Sequence, residues 1–322
     1  MVRFVTANTQ DYERFLAGET EGIRSRDTEE WRYRLTERLI RAVSPTVIAL
    51  QELPGHSQER ANAAIAQLAE ATGMNCMVRK SRGPGDPGQY AVTPGNTANL
   101  GFGLMWADGV EPLQDSWLAV RKGFWHAVGA VTLDVGGKHP IQYAVGHAPP
   151  TAGAERRAAE AALTTKVLLR PDGSPFTMFG IDQNSMGEDR VYDKMPHLPH
   201  FTDEEIASRF VNDRSSAAAF TRGGLIDAVH WLEVGRYVAA GQTHDEAGVL
   251  LTDKRAIPTT GHYIDPQYGM ANYGARRIDV IRVSESMLPA LIDYEVFDDV
   301  LGAAEASDHI WTAVTHDPRL LV

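Results

Sequence analysis

The stretch SPTVIALQEL, residues 44–53, contains a run of four apolar residues and ends in Gln51, Glu52 and one further leucine. The run does not alternate with polar residues, which is typical of a strand that is covered on both faces. We therefore predict a fully buried strand over 46–52 that carries a carboxylate at its end. Helical periodicity ahead of it stops at Pro45, so this strand directly follows a helix.

The rest of the chain predicts a mixture of helices and strands. Periodic apolar residues predict helices over 29–45, 57–73 and 154–170, and near 203–210. Apolar runs predict strands over 3–7, 100–107, 117–120, 125–135, 140–147, 176–182, 276–284, 292–297 and 309–315. The Gly, Pro and Asn residues of 81–99 predict an exposed loop. Because several strands follow one another with only turns between them, this order favours two layered sheets flanked by helices over a doubly wound parallel sheet.

The composition is that of an ordinary globular protein, with 43% hydrophobic and 23% charged residues. The net charge of −11 works against coating of nucleic acid by bulk electrostatics. It does not argue against a nuclease, which needs only a local basic patch and a metal. The single cysteine, Cys76, excludes an internal disulfide and a cysteine-based zinc site. No apolar stretch approaches about 18 residues and no signal peptide is recognised, so we expect a cytoplasmic protein without a membrane span.

Polar side chains collect where the predicted strands begin or end, and they are Asn8, Glu52, His147, Asp182, Asn184, Asp279, Asp308 and His309. Strand ends are where sheet scaffolds hold active sites, because the sheet fixes the backbone while its ends face a cleft. Each residue has an ordinary alternative as a turn or cap residue, a hydrogen-bonded histidine or, for Asp279 close to Arg276 and Arg277, half of an ion pair. Taken singly, none of them indicates a function.

As a set, these residues have one coherent chemistry. Carboxylate and amide oxygens such as those of Glu52, Asp308 and Asn8 suit Mg²⁺ or Mn²⁺, which also take water and substrate phosphate. A histidine held by a carboxylate can act as general acid or base. Asp182 and Asn184 point to the same face of an extended segment, where one can orient or deprotonate a water while the other donates to a phosphoryl oxygen. The set predicts metal-assisted phosphoester hydrolysis.

The order of these motifs resembles the endonuclease/exonuclease/phosphatase superfamily, which includes deoxyribonuclease I, exonuclease III and inositol polyphosphate phosphatases. FVTANT is similar to the family's opening strand with its metal-site Asn, SPTVIALQEL to its D-hydrophobic-Q-E strand, and YAVGHAPP to the strand that ends in a catalytic His. FGIDQNS looks like the GDFN motif, RRIDVIRVS like the R-I-D-Y-I strand, and ASDHIW like the terminal SDH. These pieces follow the family's order over nearly the whole chain.

The resemblance implies a fold and a metal site. The fold is an α/β (α+β) four-layer sandwich, in which two mainly antiparallel β-sheets pack face to face with helices outside. It forms a single domain over 1–322 with an insertion or capping region around 185–275. Asn8, Glu52 and Asp308 would surround the divalent metal, which is Mg²⁺ or alternatively Mn²⁺.

The resemblance also implies catalytic roles. His309 would be the general base or the imidazole that contacts the phosphate, with Asp279 as its carboxylate partner. Asp182 and Asn184 would handle the nucleophile and the transition-state oxygens. His147 would stabilise the phosphoryl group.

Three positions depart from the family pattern. Ile181 stands between Gly180 and Asp182 where many members read Gly-Asp, so we expect a turn of different shape. Gln10 occupies the place where some nucleases carry an acid, so a second metal site does not follow from the resemblance. Thr46 replaces a usual Asp that we interpret as structural.

Two basic segments are the predicted substrate contacts. Arg79 and Arg82 lie beside flexible glycines and could follow a phosphate backbone. Arg121, Lys122 and Trp125 combine charge with a ring for base stacking. A solvated turn and a core aromatic are equally good explanations of the two segments.

We expect a Mg²⁺-dependent phosphodiesterase, a nuclease that cleaves nucleic acid by in-line attack of water. The first alternative is a phosphatase or phosphodiesterase of a small nucleotide, inositol or lipid-linked phosphate. The second alternative, from another class, is an inactive family member that serves as a binding module. Loss of the acidic set would favour that alternative, and all of those residues are present.

Overall fold

Two β-sheets stack face to face and carry helices on their outer surfaces in the computed structural model of the chain. The structure describes residues 1–9, 26–83, 85–97, 99–150, 152–185, 214–243, 259–260, 264–265, 270–271, 277–298, 300 and 306–322. For residues 26–30, 236–237, 264–265 and 270–271 it describes the backbone alone. The helix predicted near 203–210 and the position of Gln10 lie outside the described residues.

The described residues form strands and helices in the following chain order. The strands are β1 (Val2–Asn8), β2 (Val47–Pro54), β3 (Met77–Arg79), β4 (Gln89–Tyr90), β5 (Val92–Pro94), β6 (Leu100–Trp106), β7 (Glu111–Pro112), β8 (Leu118–Val120), β9 (Val128–Asp134), β10 (Ile141–His147), β11 (Thr177–Asp182), β12 (Leu225–Asp227), β13 (Ile264–Asp265), β14 (Met270–Ala271), β15 (Asp279–Ser284), β16 (Leu291–Val296) and β17 (Thr312–His316). The helices are α1 (Arg26–Val43), α2 (Gln58–Thr72), α3 (Ala154–Leu168), α4 (Ser215–Arg222) and α5 (Ala228–Ala239).

The two sheets are mainly antiparallel. The first has the order β16–β17–β1–β2–β6–β5, and the second has the order β12–β15–β11–β10–β9–β7 with β8 also paired to β9. Among their described pairings, β1 with β2 and β10 with β11 run parallel and the others antiparallel. The hairpins β3–β4 and β13–β14 stand apart from both sheets.

Both sheets are covered on their two faces, which explains why their strands read as unbroken apolar runs. Between the sheets, Phe4, Ala49 and Leu104 belong to one core cluster with Tyr143 and Val145. Helices α1 and α2 cover the outer face of the first sheet, and α3 and α4 cover that of the second. Burial of apolar surface on both sides is the main driving force for this arrangement. The predicted four-layer sandwich is therefore confirmed.

Part of the region predicted as an insertion around 185–275 is built into the sandwich. Helix α4 packs on α3, β12 is the edge strand of the second sheet, and α5 packs against β15 and β16. Residues 186–213 and most of 244–276 lie outside the described residues. None of the helices in the described ranges combines the length and the apolar character needed to span a bilayer.

Two segments differ from the prediction. The exposed loop predicted over 81–99 contains β4 and β5, and Val92 and Thr93 are buried. Pro94 ends β5 at the sheet edge, where a residue without an N–H is tolerated, and the Gly, Pro and Asn content had hidden this strand. The strand predicted from 309 begins only at Thr312, so 307–311 form an irregular segment ahead of it.

Strand β2 carries a bulge at its end. Leu50 and Leu53 pair with residues of β6 that are only two positions apart, so Gln51 and Glu52 together face a single residue. Glu52 has a φ of +59°, in the left-handed region that a residue with a Cβ rarely adopts. Bulges bend a strand and turn side chains in a new direction, and they are frequent beside active sites. This bulge determines the direction of the Glu52 carboxylate.

Gly180 of β11 lies at a point where the two sheets approach each other closely. A Cβ at this position would lie 2.9 Å from the Cβ atoms of Thr6 and Ala49 in the first sheet. Real Cβ atoms essentially never make contacts this short. The glycine therefore permits the present distance between the sheets at this point.

Candidate active site

Five strand ends meet at one edge of the sandwich, where β1, β2, β10 and β11 end and β15 begins. Parallel pairing sets Asn8 beside Gln51 and His147 beside Asp182. Antiparallel pairing of β11 with β15 sets Asp182 opposite Asp279. The register of both sheets thus brings these polar residues to the same edge.

Asn8 connects the carboxylates of the two sheets. Its side-chain nitrogen donates to Oε1 of Glu52 at 2.9 Å and to Oδ2 of Asp182 at 3.1 Å. Its backbone carbonyl accepts a hydrogen bond from the indole N–H of Trp311 at 3.1 Å. Asn8 and Asp182 are each 1% exposed, so this contact lies almost entirely out of water.

A tight turn after β11 brings Asn184 back onto His147. The backbone N–H of Asn184 donates to Oδ1 of Asp182 at 2.9 Å, and its side-chain nitrogen lies 2.8 Å from Nε2 of His147 and donates to the carbonyl of Ala148. Asn184 has a φ of +47°. Asp182 and Asn184 therefore do not meet the site by strand alternation, as the sequence suggested. The left-handed backbone conformation of Asn184 directs its side chain towards His147. Ile181 lies within β11 and does not prevent this turn.

His309 is held by Asp279. Its Nδ1 donates to Oδ2 of Asp279 at 2.7 Å, and its Nε2 lies 3.8 Å from Oδ2 of Asp182 and 3.9 Å from Oδ1 of Asp308. The backbone N–H of His309 donates to Oγ of Ser307 at 3.1 Å. Because the segment ahead of β17 is irregular, Asp308 and His309 can approach each other on the same side of the chain.

Arg277 does not compete for Asp279. Its guanidinium pairs with the buried Asp227 of β12 at 2.7 Å, although Arg277 is only two residues from Asp279. The backbone N–H of Asp279 donates to the hydroxyl of Thr259, and the carbonyl of Thr259 accepts from Ile310. Thr259 thus joins the two segments that carry Asp279 and His309.

Burial disfavours the ionised forms of Glu52, Asp279 and Asp182, but the net direction of the pKa shift is not the same for all three. It raises the pKa of Glu52 to about 7 against the opposing charge of His147. It also raises the pKa of Asp279, although His309 opposes it. At Asp182, burial is outweighed by the charges of His147 and His309 and by hydrogen bonds, which hold the pKa below its usual value. The surroundings of Asp182 therefore favour its ionised form.

The two histidines are favoured in their protonated forms. Burial would lower the pKa of His309, but the charges of Asp279, Asp308 and Asp182 outweigh it and raise the pKa well above its usual value. Burial is likewise outweighed at His147, whose pKa is raised by Asp182. Nε2 of His147 lies 3.3 Å from Oδ2 of Asp182, to which the protonated ring donates. In the neutral ring the same nitrogen accepts from Asn184.

The residues at this edge fit a hard divalent cation. Two groups of side chains, Glu52 with His147 and Asp182, and Asp182 with Asp279 and His309, each offer ligand atoms within 4.8 Å of one another. Oδ1 of Asp279 is buried and has no hydrogen-bond partner among the described residues. A cation would stabilise the ionised form of buried carboxylates such as Glu52.

The predicted metal ligands are not all equivalent in this geometry. Glu52 belongs to one of the two groups, whereas Asp308 belongs to neither, although its charge raises the pKa of Glu52. Asn8 presents its amide nitrogen to Glu52, and rotation of the amide would present the oxygen instead.

The predicted substrate contacts divide into two groups. Arg121, Lys122 and Trp125 lie between β8 and β9, on the loop that leads to the site edge. Arg121 donates to Oδ1 of Asn96 and to the carbonyl of Gly95, and Lys122 is exposed.

In contrast, Arg79 is engaged within its own hairpin. It donates to both carboxylate oxygens of Asp86 at 2.6 and 3.0 Å. The exposed Arg82 donates its backbone N–H to the same carboxylate. Both arginines stay predictions as substrate contacts.

Four described residues at this edge are not among the predicted site residues: His126, Thr259, Ser307 and Trp311. Ser307 was visible as a hydroxyl two residues before His309, a common arrangement for bonding a following backbone N–H. Thr259 gave no signal, because its partners lie 19 residues or more along the chain. His126 directly follows the predicted Trp125, but nothing in the sequence around it indicates a role.

Solved structures with very different substrates resemble this chain over nearly its whole length. The 3′ phosphatase NExo from Neisseria, bound to a product DNA hairpin, matches with a TM-score of 0.58 and 16% identity, over 98% of this chain and 100% of its own. A mannosyl-6-phosphatase from Bacteroides thetaiotaomicron VPI-5482 matches with a TM-score of 0.52 and 15% identity, over 98% and 99%. No protein-family model and no curated protein matches the chain.

A third similar structure is an endonuclease/exonuclease/phosphatase family protein from Leptotrichia buccalis C-1013-b, with a TM-score of 0.51 and 12% identity over 98% of this chain and 100% of its own. The chain therefore has the endonuclease/exonuclease/phosphatase fold. At this level of identity the likeness concerns the fold, and function is argued from the residues at the site.

Proposed function

We propose that the protein is a divalent-metal-dependent phosphoester hydrolase, and that it cleaves phosphodiester bonds of nucleic acid by in-line attack of water. The observation that carries this proposal is the meeting of Asn8 and Glu52 from one sheet with Asp182 from the other. The same edge holds the His309–Asp279 pair. Carboxylates that can bind a metal thus lie beside imidazoles, and metal-assisted hydrolysis uses this combination of groups.

Glu52 and Asp182 would hold the metal, with Asn8 and Asp308 beside them. When bound, the ion would supply Lewis-acid stabilisation of the charge that develops on the phosphoryl oxygens. Mg²⁺ and Mn²⁺ suit this oxygen-rich set, since both accept carboxylates together with water and phosphate.

Asp182 and Asn184 would act on the water. Asp182 stays ionised and can accept a hydrogen bond from the attacking water, which orients the oxygen lone pair towards phosphorus. The Asn184 side chain lies next to it and can donate to a phosphoryl oxygen. His147, within 3.3 Å of Asp182, would add a second donor.

His309 would contact the phosphate as an imidazolium. The raised pKa supports this role over that of a general base, because a base must be deprotonated at the working pH. Asp279 fixes the ring so that Nε2, the nitrogen not bonded to Asp279, lies near Asp182 and Asp308. A positive charge at this atom would stabilise the transition state electrostatically.

A nucleic-acid substrate is supported by the loop that carries Arg121, Lys122 and Trp125, which lies beside the site. The alternative, a phosphatase of a small phosphate such as a sugar phosphate, is favoured by the net charge of −11 and by the engagement of Arg79 with Asp86. An inactive binding module is disfavoured, since the full acidic set is present and in contact. We further propose a single domain over 1–322; the capping region predicted around 185–275 falls mostly on residues outside the described ranges.

A substrate panel tests the proposal. Plasmid DNA, single-stranded DNA, RNA, bis-p-nitrophenyl phosphate and a sugar phosphate are incubated with Mg²⁺, with Mn²⁺ and with EDTA. We expect turnover of the diesters that requires the metal. Turnover of the sugar phosphate alone would favour the small-molecule alternative, whereas absent or metal-independent turnover of every substrate would refute the hydrolase.

A further inference from the structure

His126 lies flat against His147. The two ring centroids are 4.7 Å apart and the planes are inclined by only 15°, which is a stacked arrangement. The ring of Phe102 from β6 packs edge-to-face with that of His147, with ring centroids 5.9 Å apart and an interplanar angle of 68°. His126 is 1% exposed and lies two residues before β9. The His147 ring is therefore enclosed by side chains from two other segments.

Thr97 fixes the ring of His126. The hydroxyl of Thr97 donates to the carbonyl of Trp125 at 3.0 Å, and it lies 3.1 Å from Nδ1 of His126. A hydroxyl has one hydrogen, so Thr97 must accept from Nδ1. Nδ1 of His126 therefore carries a proton, while Nε2 is buried without a hydrogen-bond partner among the described residues, an environment that disfavours a second proton. Thr97 itself lies on the segment that follows β5, so two loops together hold the ring.

The two site histidines are oriented in different ways. His309 has its Nδ1 bonded to Asp279, which fixes the ring and leaves Nε2 for the site. His147 has no such partner, because its Nδ1 is buried without a hydrogen bond among the described residues. Within the described part of the chain, its polar contacts are made through Nε2, to Asn184, Asp182 and Glu52. An imidazole ring that is hydrogen-bonded through one nitrogen alone needs a further contact to fix the orientation of its plane.

We infer that His126 is a positioning residue, which holds the imidazole plane of His147 by stacking on its face. The inference rests on the proposed function, since it assigns His126 a part in that site. Stacking is compatible with a protonated His147 only if His126 stays neutral, because like charges repel. Burial and the charge of His147 lower the pKa of His126 to about 3, in agreement with this requirement.

Substitutions of similar volume test the stack. In His126→Leu the packing volume is kept but the flat ring is lost, and we expect kcat to fall about tenfold with KM within about twofold of wild type, as for other residues that orient an active-site ligand. His126→Phe restores a flat ring without nitrogen atoms and should recover kcat to within about threefold of wild type. Thr97→Val removes the anchor and should lower kcat by a few-fold.

A second measurement does not depend on turnover. In NMR spectra of histidine-labelled protein, the ring protons of His147 should shift in His126→Leu, because the neighbouring ring current is lost, and return towards wild type in His126→Phe. The His147 signals are assigned with His147→Asn. If wild type turns over no substrate, the proposed function fails while the spectra still decide whether the rings stack.

Three results would overturn the inference. The first is a His126→Leu variant with wild-type kcat and an unchanged His147 spectrum. The second is an equal loss in the Leu and Phe variants at unchanged melting temperature, which would assign the role to the ring nitrogens. The third is a raised KM with unchanged kcat, which would make His126 a substrate contact.

Discussion

Nδ1 of His309 and Oδ2 of Asp279 lie 2.7 Å apart, although the two residues are 30 positions apart in the chain. The Asp279 charge raises the pKa of His309. Asp279→Asn keeps the shape of the side chain and removes that charge. We therefore expect the pKa of His309 to fall and the alkaline limb of the pH–rate profile to move to lower pH. A profile that keeps its alkaline limb would contradict the role of His309 as an imidazolium.

Removal of the His309 imidazole or of the Asp182 carboxylate should abolish most of the activity. We expect His309→Ala and Asp182→Ala each to lose about 10²-fold or more in kcat, the usual size of such contributions. Asp172→Ala is the matched control, since Asp172 is 82% exposed and precedes the opposite end of β11. Steady-state kinetics on the best diester substrate measure the effect. Wild-type rates in both variants would show that other residues carry the reaction.

Glu52→Gln should stabilise the metal-free protein in a pH-dependent way. The folded pKa is raised from 4.5 to about 7, so the ionised form is disfavoured and folding stability is lost as pH rises through this range. The loss is about 3.5 kcal/mol at most, at about 1.4 kcal/mol for each pKa unit. Gln remains neutral and can still accept the Asn8 hydrogen bond. Urea unfolding with EDTA should show no difference near pH 4 and a more stable variant at pH 8.

Addition of Mg²⁺ should make wild type more stable than Glu52→Gln at pH 8, because an ion that binds the folded state alone stabilises it by mass action. The affinity of wild type for Mg²⁺ should also rise with pH up to about 7, as the ion displaces the proton on Glu52. If Glu52→Gln were less stable than wild type in EDTA at pH 8, burial would not be disfavouring the ionised carboxylate of Glu52.

The buried His316 should limit stability in acid. Burial lowers its pKa from 6.5 to about 3, so the unfolded chain binds the proton first and stability falls as pH drops from about 6.5 to 3. The neutral ring lies 3.0 Å from the hydroxyl of Tyr143 in the core between the sheets. His316→Gln should flatten the dependence of the melting temperature on pH in this range. An equally steep dependence in the variant would assign the acid sensitivity to other groups.

Substitution of Lys122 distinguishes a nucleic-acid substrate from a small phosphoester substrate. If nucleic acid passes along the loop after β8, Lys122→Ala should raise KM for DNA and reduce the slope of log KM against log salt by about 1, the contribution of one phosphate contact. The rate on bis-p-nitrophenyl phosphate should not change. Lys138→Ala is the control, since it is exposed in the turn between β9 and β10 at the opposite end of β9. Equal effects of the two lysines would indicate general charge and not a contact.

Elements with clear local signals could be predicted from the sequence. The helix expected over 57–73 is Gln58–Thr72, because Ser57 caps its first turn and Gly73 ends it in the left-handed conformation. The strand expected over 46–52 exists because its apolar run is long enough to be covered on both faces. The order of polar residues at strand ends was also visible, since each lies directly beside an apolar run.

Relations between distant residues could not be predicted. Nothing local indicates that Asn8 would bridge Glu52 and Asp182, which is 174 positions away. The stack of His126 on His147 depends on the register of β9 with β10 and on a loop held by Thr97. The short strand β5 was lost among turn residues for a similar reason, because pairing with β6 and not composition makes it a strand.

The residues of the site come from both sheets, and the distance between the sheets depends partly on Gly180. Its missing side chain allows Thr6 and Ala49 to lie where a Cβ would meet them at 2.9 Å. Asp182 is only two residues further along β11, while Asn8 is two residues after Thr6 on β1. The spacing between the two halves of the candidate site is therefore set partly inside the apolar core, by a residue that carries no chemistry of its own.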